Sequence, residues 1–233
     1  MFHAQLLPFD AARVEHTATL LATGDVLLTG GLDAMGKPRA DCLRFVVATG
    51  RFEAAAPLPA PSRRHSATLL ADGAVLVVGI GEAIGGAAIY DPTSDSWRTV
   101  VSPATPRVEH AAAPWAKGEV LICGGRAVAT LAGLDEAGRR EAPIEASAER
   151  YDVAAGIWRP APAFTTARRK HELVVLGGGA LLAVSGKGRG PSGAPVRLGT
   201  SERLDAAATA WQPPRKLDEG ERFVCVLQDG NVL

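Results

Sequence analysis

Four of the five histidines in this chain recur with an arginine close before each of them, and this is the pattern best suited to chemistry. The histidines are His16, His65, His110 and His171, and the arginines are Arg13, Arg64, Arg107 and Arg168. Guanidinium and imidazole groups that converge on one surface bind carboxylates and acidic sugars, so the pattern predicts a basic rim for an anionic ligand. In the alternative, each side chain is structural and donates hydrogen bonds to backbone carbonyls of a neighbouring repeat.

The repetition favours the structural alternative. A ligand site is usually asymmetric, whereas the Arg and His residues return in every repeat, and Glu15, Glu109 and Glu172 beside the histidines offer local charge partners. The ligand-binding hypothesis nevertheless names six candidates, the four arginines above together with Arg139 and Arg140.

Other candidates for chemistry are weaker. Glu141 and Glu145 could form an acid/base pair, but a solvated loop explains them better. The glycine-rich run at 186–190 lacks a P-loop pattern and a following helix. The three cysteines are isolated and predict neither a disulfide framework nor a zinc site; they are Cys42, Cys123 and Cys225. The sequence therefore predicts no catalytic residue, no metal and no cofactor.

Fixed spacings organise the chain around these residues. Each repeated His is followed eight residues later by a glycine, at Gly24, Gly73, Gly118 and Gly179. A second spacing of seven residues separates an aromatic or apolar residue from an aromatic one, at Phe45–Phe52, Tyr90–Trp97, Tyr151–Trp158 and Leu204–Trp211. Successive histidines lie 45 to 61 residues apart, a period that indicates stacked or radial repeats.

Each spacing predicts a β-hairpin. Apolar runs flank the glycine turn, as in Val75–Val78 after Gly73, and such continuous runs indicate strands buried on both faces. Asp, Pro and Ser separate Tyr90 from Trp97, which indicates a second turn. One repeat is therefore four short antiparallel strands. Such sheets bury their faces by packing around an axis, so the fold class is an all-β propeller with the aromatic residues packed between its blades.

The repeat resembles the kelch repeat. The resemblance rests on Arg-x-x-His, an apolar run, Asp-Gly, a second apolar run, Gly-Gly, Tyr-Asp-Pro and Trp, and it covers almost the whole chain. The doublets are Gly30-Gly31 and Gly124-Gly125. The second repeat departs with Gly79-Ile80-Gly81 and the fourth with Ser185-Gly186, while the first has Phe45-Val46 and Phe52 in place of Tyr-Asp and Trp.

The resemblance implies a kelch-type propeller in which the first strand of each blade lines a central channel. Kelch proteins mostly bind other proteins, and some are enzymes, including the galactose oxidase type and bacterial sialic acid epimerases. Copper-radical chemistry is not expected, because the only tyrosines, Tyr90 and Tyr151, occupy packing positions. The prediction is a binding module. The first alternative is an epimerase or mutarotase type of enzyme that would use Arg and Glu residues near the channel mouth on an acidic sugar, with Arg107 and Arg168 as the positions to test. The second is a structural repeat within a larger secreted protein.

Residues 1–233 are predicted to form one propeller domain. The spacings predict blades at 13–61, 62–106, 107–167 and 168–217, with partial blades at 1–12 and 218–233. We expect a fragment of a six- or seven-bladed ring. A five-bladed ring with a defective closing blade and a ring completed between chains are the alternatives.

Length differences between repeats fall between the second and third strands. The longest such connection is 126–146, and in a four-stranded meander it shares one face with the blade-to-blade linkers. Variable loops on a rigid scaffold carry binding function, so ligand contacts are predicted on this face.

Composition limits the partners. Twenty-five basic and twenty-five acidic residues give a formal net charge of zero, which removes the general electrostatic case for nucleic acid or an anionic membrane. No apolar run approaches the ~20 residues of a membrane span, and no signal peptide is recognised, so localisation stays open. The expected partner is a protein or a carbohydrate. The abundance of Ala, Arg and Gly fits a GC-rich bacterial genome.

Overall fold

The structure, a computed structural model, describes residues 12–81, 85–115, 118–130, 133–134, 138, 141–207 and 209–217. These residues form an all-β protein whose main elements are four four-stranded antiparallel sheets. The chain divides into two compact units, Met1–Val108 and Glu109–Leu233, and each unit contains two of the sheets. The predicted partial blades at 1–12 and 218–233 lie outside the described residues, apart from Ala12.

The first unit contains sheets 1 and 2. Sheet 1 is formed in chain order by β1 (Thr17–Leu20), β2 (Val26–Thr29), β3 (Cys42–Val46) and β4 (Arg51–Ala55). Sheet 2 is formed by β5 (Ser66–Leu69), β6 (Val75–Ile80), β7 (Gly86–Asp91) and β8 (Ser96–Val100). A short strand, β9 (Arg107–Val108), follows.

The second unit contains sheets 3 and 4. Sheet 3 is formed by β10 (Ala111–Trp115), β11 (Glu119–Cys123), β13 (Ala148–Asp152) and β14 (Ile157–Ala161), and the short strand β12 (Arg126–Ala127) precedes β13. Sheet 4 is formed by β15 (Glu172–Val175), β16 (Leu181–Val184), β19 (Thr200–Leu204) and β20 (Arg215–Lys216). Its central connection is a separate hairpin of β17 (Lys187–Arg189) and β18 (Pro195–Arg197).

The predicted strand order is confirmed. Each sheet is a simple meander, and each lies within one of the four predicted blade ranges. The first turn of each sheet requires a positive φ angle, which glycine adopts without steric cost. Gly24, Gly73 and Gly118 take φ angles of +88°, +87° and +76° there. Short 3₁₀ turns lie at Val128–Thr130 and Gly177–Gly179.

Burial follows the apolar pattern of the strands. All six residues of β6 are buried, as the continuous apolar run predicts, whereas every position of the outer strand β8 is exposed or half-buried. In the first unit one core contains Leu27 from sheet 1 together with Val75 and Tyr90 from sheet 2. The core of the second unit joins sheets 3 and 4 in the same way, through residues such as Leu121 and Leu181.

Two of the repeated aromatic residues, Trp97 and Trp211, contact the preceding sheet of their own unit. Tyr90 is fully buried, and its ring centroid lies 5.0 Å from that of Trp97. Trp97 Nε1 donates a hydrogen bond of 2.8 Å to the carbonyl oxygen of Ala56, just after β4 of the preceding sheet. Trp211 Nε1 makes the corresponding bond of 2.8 Å to Pro162, just after β14. These contacts favour the packing role that the sequence predicts for the aromatic positions.

Candidate functional site

The connections of variable length leave the second unit from one end of its sheets. In sheet 3, Ala111, Cys123, Ala148 and Ala161 lie side by side, so the β11–β13 connection begins and ends where the linker to sheet 4 starts. The amide of Gly125 donates to the carbonyl of Arg168 at 2.9 Å, which joins that connection to the linker. We call the surface formed by 124–147, 162–171 and 185–199, where these residues are described, the loop face. The prediction that long connections and the linker share a face is confirmed here.

A hydrogen-bonded ion pair connects the two longest loops of this face. Arg189 on β17 donates from Nη1 to Glu141 Oε2 at 2.7 Å and from Nη2 to the main-chain oxygen of Glu141. Its Nη1 also donates to the carbonyl of Gly193 at 2.9 Å, within its own hairpin turn. The hairpin 187–197 is therefore attached to the 126–146 loop. The two glutamates considered as an acid/base pair both have other partners. Glu141 forms the ion pair with Arg189, and Glu145 accepts a hydrogen bond from Ser147 Oγ at 3.0 Å.

A buried carboxylate lies at the root of the loop face. Glu109 is 6% exposed, and its Oε2 lies 2.8 Å from Arg169 Nη1 and 3.9 Å from Arg126 Nε. Its Oε1 lies 3.5 Å from Lys170 Nζ. The carboxylate of Glu109 thus forms ion pairs with three cationic side chains. Burial strengthens each of these ion pairs because solvent screening is reduced.

The first unit repeats this arrangement in a more exposed form. Glu15 accepts hydrogen bonds from Arg64 Nε at 2.8 Å on both carboxylate oxygens, and Arg63 lies 3.5 Å away. The Glu15 and Arg64 side chains are 24% and 32% exposed. Arg64 also differs from the other repeated arginines in sequence position. It precedes its histidine by one residue, whereas the others precede theirs by three, and the second repeat has Ser62 at that position.

The other candidate arginines of the described residues point into the protein. Arg13 donates from Nη1 to the carbonyls of Gly30 (3.2 Å) and Asp41 (3.0 Å), and its Nη2 contacts Asp41 Oδ2 at 2.6 Å. Burial alone would raise the pKa of Asp41, but hydrogen bonds from Arg39 and Arg13 outweigh it and the pKa is lowered. Arg13 binds the connection of its own sheet rather than the neighbouring repeat.

Arg168 repeats the contacts of Arg13 in the fourth sheet. It donates from Nη1 to the carbonyls of Ser185 (3.0 Å) and Thr200 (3.2 Å), and its Nη2 contacts Glu202 Oε1 at 2.6 Å. The Arg168 and Glu202 side chains are both fully buried. Arg107 is also fully buried, and its Nε donates to the Thr105 carbonyl at 3.1 Å.

Arg13, Arg107 and Arg168 are all buried. Of the two roles that the sequence left open, structural and ligand-binding, their burial favours the structural one. A buried guanidinium that already has carbonyl and carboxylate partners is not available to a ligand in solution. Arg139 and Arg140 lie outside the described residues.

Three of the repeated histidines, His65, His110 and His171, are buried, whereas His16 is exposed. His65 and His171 contact side chains rather than the carbonyls expected from the sequence. His65 Nε2 lies 2.8 Å from Thr29 Oγ1 and 3.2 Å from Thr17 Oγ1. Burial lowers the pKa of His65 to about 4. Burial, assisted by Arg168, lowers the pKa of His171 to about 3. Both imidazoles are therefore neutral at pH 7 and contribute to packing.

His171 lies within the second core. Its Nε2 is 3.6 Å from Cys123 Sγ, and its ring meets Phe164 edge-on at 5.2 Å. A buried thiol of this kind behaves as a small apolar group. Within the described part of the chain, no group of three or more His, Cys, Asp or Glu side chains is placed to hold a metal ion.

Sequence reasoning missed two exposed cations of the loop face, Lys170 and Arg197. Lys187 and Arg197 flank the Gly-Pro-Ser-Gly turn of a hairpin, and this symmetric spacing was the available signal. Lys170 follows the two buried arginines at 168–169, and nothing in its sequence context separates it from them.

Together, the fold and the loop face define an all-β protein of repeated four-stranded sheets, with charged connections gathered on one surface of its second unit. The chain matches no model of a known protein family, and no curated protein sequence matches it significantly. Among the described residues, no helix has the length and apolar character needed to cross a membrane.

Proposed function

We propose that this chain is a kelch-type propeller module that binds a protein or carbohydrate ligand through the loop face. The repeat residues support the kelch assignment, and the four-stranded meanders at the predicted positions are compatible with propeller blades. The observation that carries the binding proposal is the contact of Arg189 with Glu141, because it joins the two longest loops into one surface. Rigidly held loops lose less conformational entropy when a ligand binds, which favours affinity.

The opposite end of sheet 3 has a much shorter connection. It is the turn between Asp152 and Ile157, which pair directly across the hairpin. Binding sites occur preferentially on long loops held by a rigid scaffold, so the difference between the two ends favours the loop face.

The proposal is tested with defined arrays of glycans and of peptides, followed by titration of each ligand found. We expect Arg189→Ala to weaken binding at least tenfold, because it detaches the hairpin from the 126–146 loop. The matched control is Arg203→Ala, which removes a surface arginine with an equally close partner, Asp205 at 2.8 Å, near the opposite end of sheet 4. We expect less than a twofold effect from the control.

Two results would contradict the proposal. One is a ligand whose affinity depends on Arg203 and not on Arg189. The other is the absence of binding to every member of both arrays by the folded protein.

The burial of two arginines disfavours the epimerase or mutarotase alternative. It would place an acidic sugar against Arg107 and Arg168, and both side chains are fully buried. Arg168 is also held by Glu202, so a sugar carboxylate would have to replace an existing ion pair.

A further inference from the structure

Three basic residues lie side by side on the loop face, in a row that crosses three chain segments. Arg169 and Lys187 are paired across an antiparallel bridge, and Lys187 is in turn paired with Arg197 across the β17–β18 hairpin. Residues directly opposite each other in antiparallel strands direct their side chains to the same face. The three cationic side chains therefore share one surface.

The hydrogen bonds of Lys187 bring two of these cations especially close. Lys187 accepts from the amide of Arg169 at 3.0 Å and donates its own amide to the carbonyl of Arg169 at 2.8 Å. Both main-chain groups of Lys187 thus face Arg169, so its pair with Arg197 is of the non-hydrogen-bonded kind. In such pairs the Cα atoms are about 4.5 Å apart and the side chains are closest.

Like charges directly opposite each other destabilise a hairpin. Lys187 and Arg197 are both exposed, and neither forms an ion pair with any residue that the structure describes. The hairpin therefore retains an unfavourable pair in the free protein.

The neighbouring charges do not compensate for this excess. Glu109 is the acidic group at the root of the row, and it is already shared by Arg169, Lys170 and Arg126. The pKa of Lys187 is lowered, first by partial burial and then by the positive charges of Arg169 and Lys170, which together outweigh the opposing effect of Glu109. The ammonium group of Lys187 is thus held in an electropositive environment that an anion would relieve.

We propose that Lys187 and Arg197, beside Arg169, form a binding site for an oxyanion, a carboxylate, sulfate or phosphate group. The inference rests on the proposed function and deepens it, because it assigns the ligand of the loop face a negative charge. Arg197 supplies the planar donor pair that suits an oxyanion, and Lys187 supplies a mobile point charge.

The test uses three probes that separate the possible oxyanions: inorganic phosphate, sulfate and succinate. Each is titrated into the ¹⁵N-labelled chain at low ionic strength, and the amide shifts of residues 187–189 and 195–197 give the dissociation constant. We expect saturable binding of at least one probe. We expect Lys187→Gln and Arg197→Gln each to weaken it at least fivefold, and Arg203→Gln, at the opposite end of the sheet, to leave it unchanged. Sodium chloride at matched ionic strength controls for screening.

A stability measurement gives a second readout. Since Lys187 opposes Arg197, we expect Lys187→Gln to raise the melting temperature of the free protein at low salt while reducing the rise that the bound anion gives the wild type. Anion-induced shifts that are absent, or equal in wild type and Lys187→Gln, would overturn the inference. A lower melting temperature for Lys187→Gln without ligand would do so too, because it would show that Lys187 stabilises the hairpin.

The two proposals fail separately. If no probe binds while Arg189→Ala still weakens an array ligand, only the oxyanion site is wrong. If a probe binds but the affinity of the array ligands depends on neither loop, the proposed function is wrong and the anion site is independent of it.

Discussion

Lys170 contacts Glu109 twice, through a main-chain hydrogen bond from its amide to the Glu109 carbonyl at 2.9 Å and through its ammonium group at 3.5 Å from Oε1. Arg64 and Glu15 do the same in the first unit, at 3.1 Å and 2.8 Å. All four residues have φ angles between 50° and 59°, the left-handed region that residues other than glycine seldom adopt. Each immediately precedes a repeated histidine, so this conformation belongs to the repeat.

The buried and exposed versions of this ion pair should differ in energy. We expect Glu109→Gln to destabilise the protein by about 3 kcal/mol, because it leaves Arg169 as a buried charge without its counter-ion. Urea unfolding at pH 7, followed by circular dichroism, gives the difference in the free energy of unfolding.

Glu15→Gln is the matched control in the first unit. Its partners are about a quarter exposed, so solvent screens the pair, and a loss below about 1 kcal/mol is expected. Equal losses for the two variants would contradict the assignment of Glu109 as a buried counter-ion.

The first glycine of the Gly124-Gly125 doublet should be intolerant of any side chain. A Cβ atom on Gly124 would clash with the carbonyl oxygen of Arg168 and lie 2.9 Å from His171 Cε1. Overpacking adds to the strain of φ +66°, so Gly124→Ala should cost at least ~3 kcal/mol. Chemical denaturation measures this loss.

Gly118→Ala separates strain from crowding. Gly118 has φ +76°, but no atom lies within 4 Å of the position of its Cβ, so we expect a cost of about 1 kcal/mol from backbone strain alone. A Gly124→Ala variant no less stable than Gly118→Ala would show that the close approach of the Arg168 carbonyl is not a constraint.

Two buried histidines should make the protein sensitive to acid. Their pKa values are lowered to about 4 for His65 and about 3 for His171, against 6.5 in an unfolded chain. Between these values the unfolded state binds more protons than the folded state. The contribution of the two histidines to the free energy of unfolding is therefore fully present above pH 6.5 and decreases as the pH falls. Each histidine contributes a slope of about 1.4 kcal/mol per pH unit near pH 5. Unfolding free energies between pH 7.5 and 4.5 measure this slope.

His65→Gln isolates the contribution of one imidazole. We expect its pH slope near pH 5 to be smaller than that of the wild type by about 1.4 kcal/mol per unit, whatever the variant does to stability at pH 7.5. Carboxylates with lowered pKa values, such as Asp41, contribute equally to both proteins and cancel in the comparison. An unchanged slope would mean that His65 is protonated in the folded state.

The strand order of each sheet could be predicted because repetition averages out local ambiguity. A single run such as Val75–Val78 fits a buried strand or a buried helix, but four copies flanked by turns at constant spacing fit only the hairpin. The aromatic positions were predictable for the same reason, and Trp97 and Trp211 lie in equivalent places.

The charged residues were harder to place because their partners are distant in sequence. Arg13 binds Asp41 and Arg168 binds Glu202, across 28 and 34 residues. A sequence pattern shows that an arginine recurs, but it does not show whether the guanidinium group donates hydrogen bonds to buried carbonyls or faces solvent. The cationic row was missed because it depends on the single bridge between Arg169 and Lys187.

The residues that precede the four histidines are Glu15, Arg64, Glu109 and Lys170, so their charges alternate along the chain. Repeats of similar sequence can associate in the wrong order while the chain folds. Because each acid meets the base of the repeat that follows it within a unit, an arrangement that skips one repeat would bring two carboxylates or two cations together in that left-handed turn. The alternation therefore distinguishes correct from incorrect neighbours by charge, independently of how the apolar cores pack.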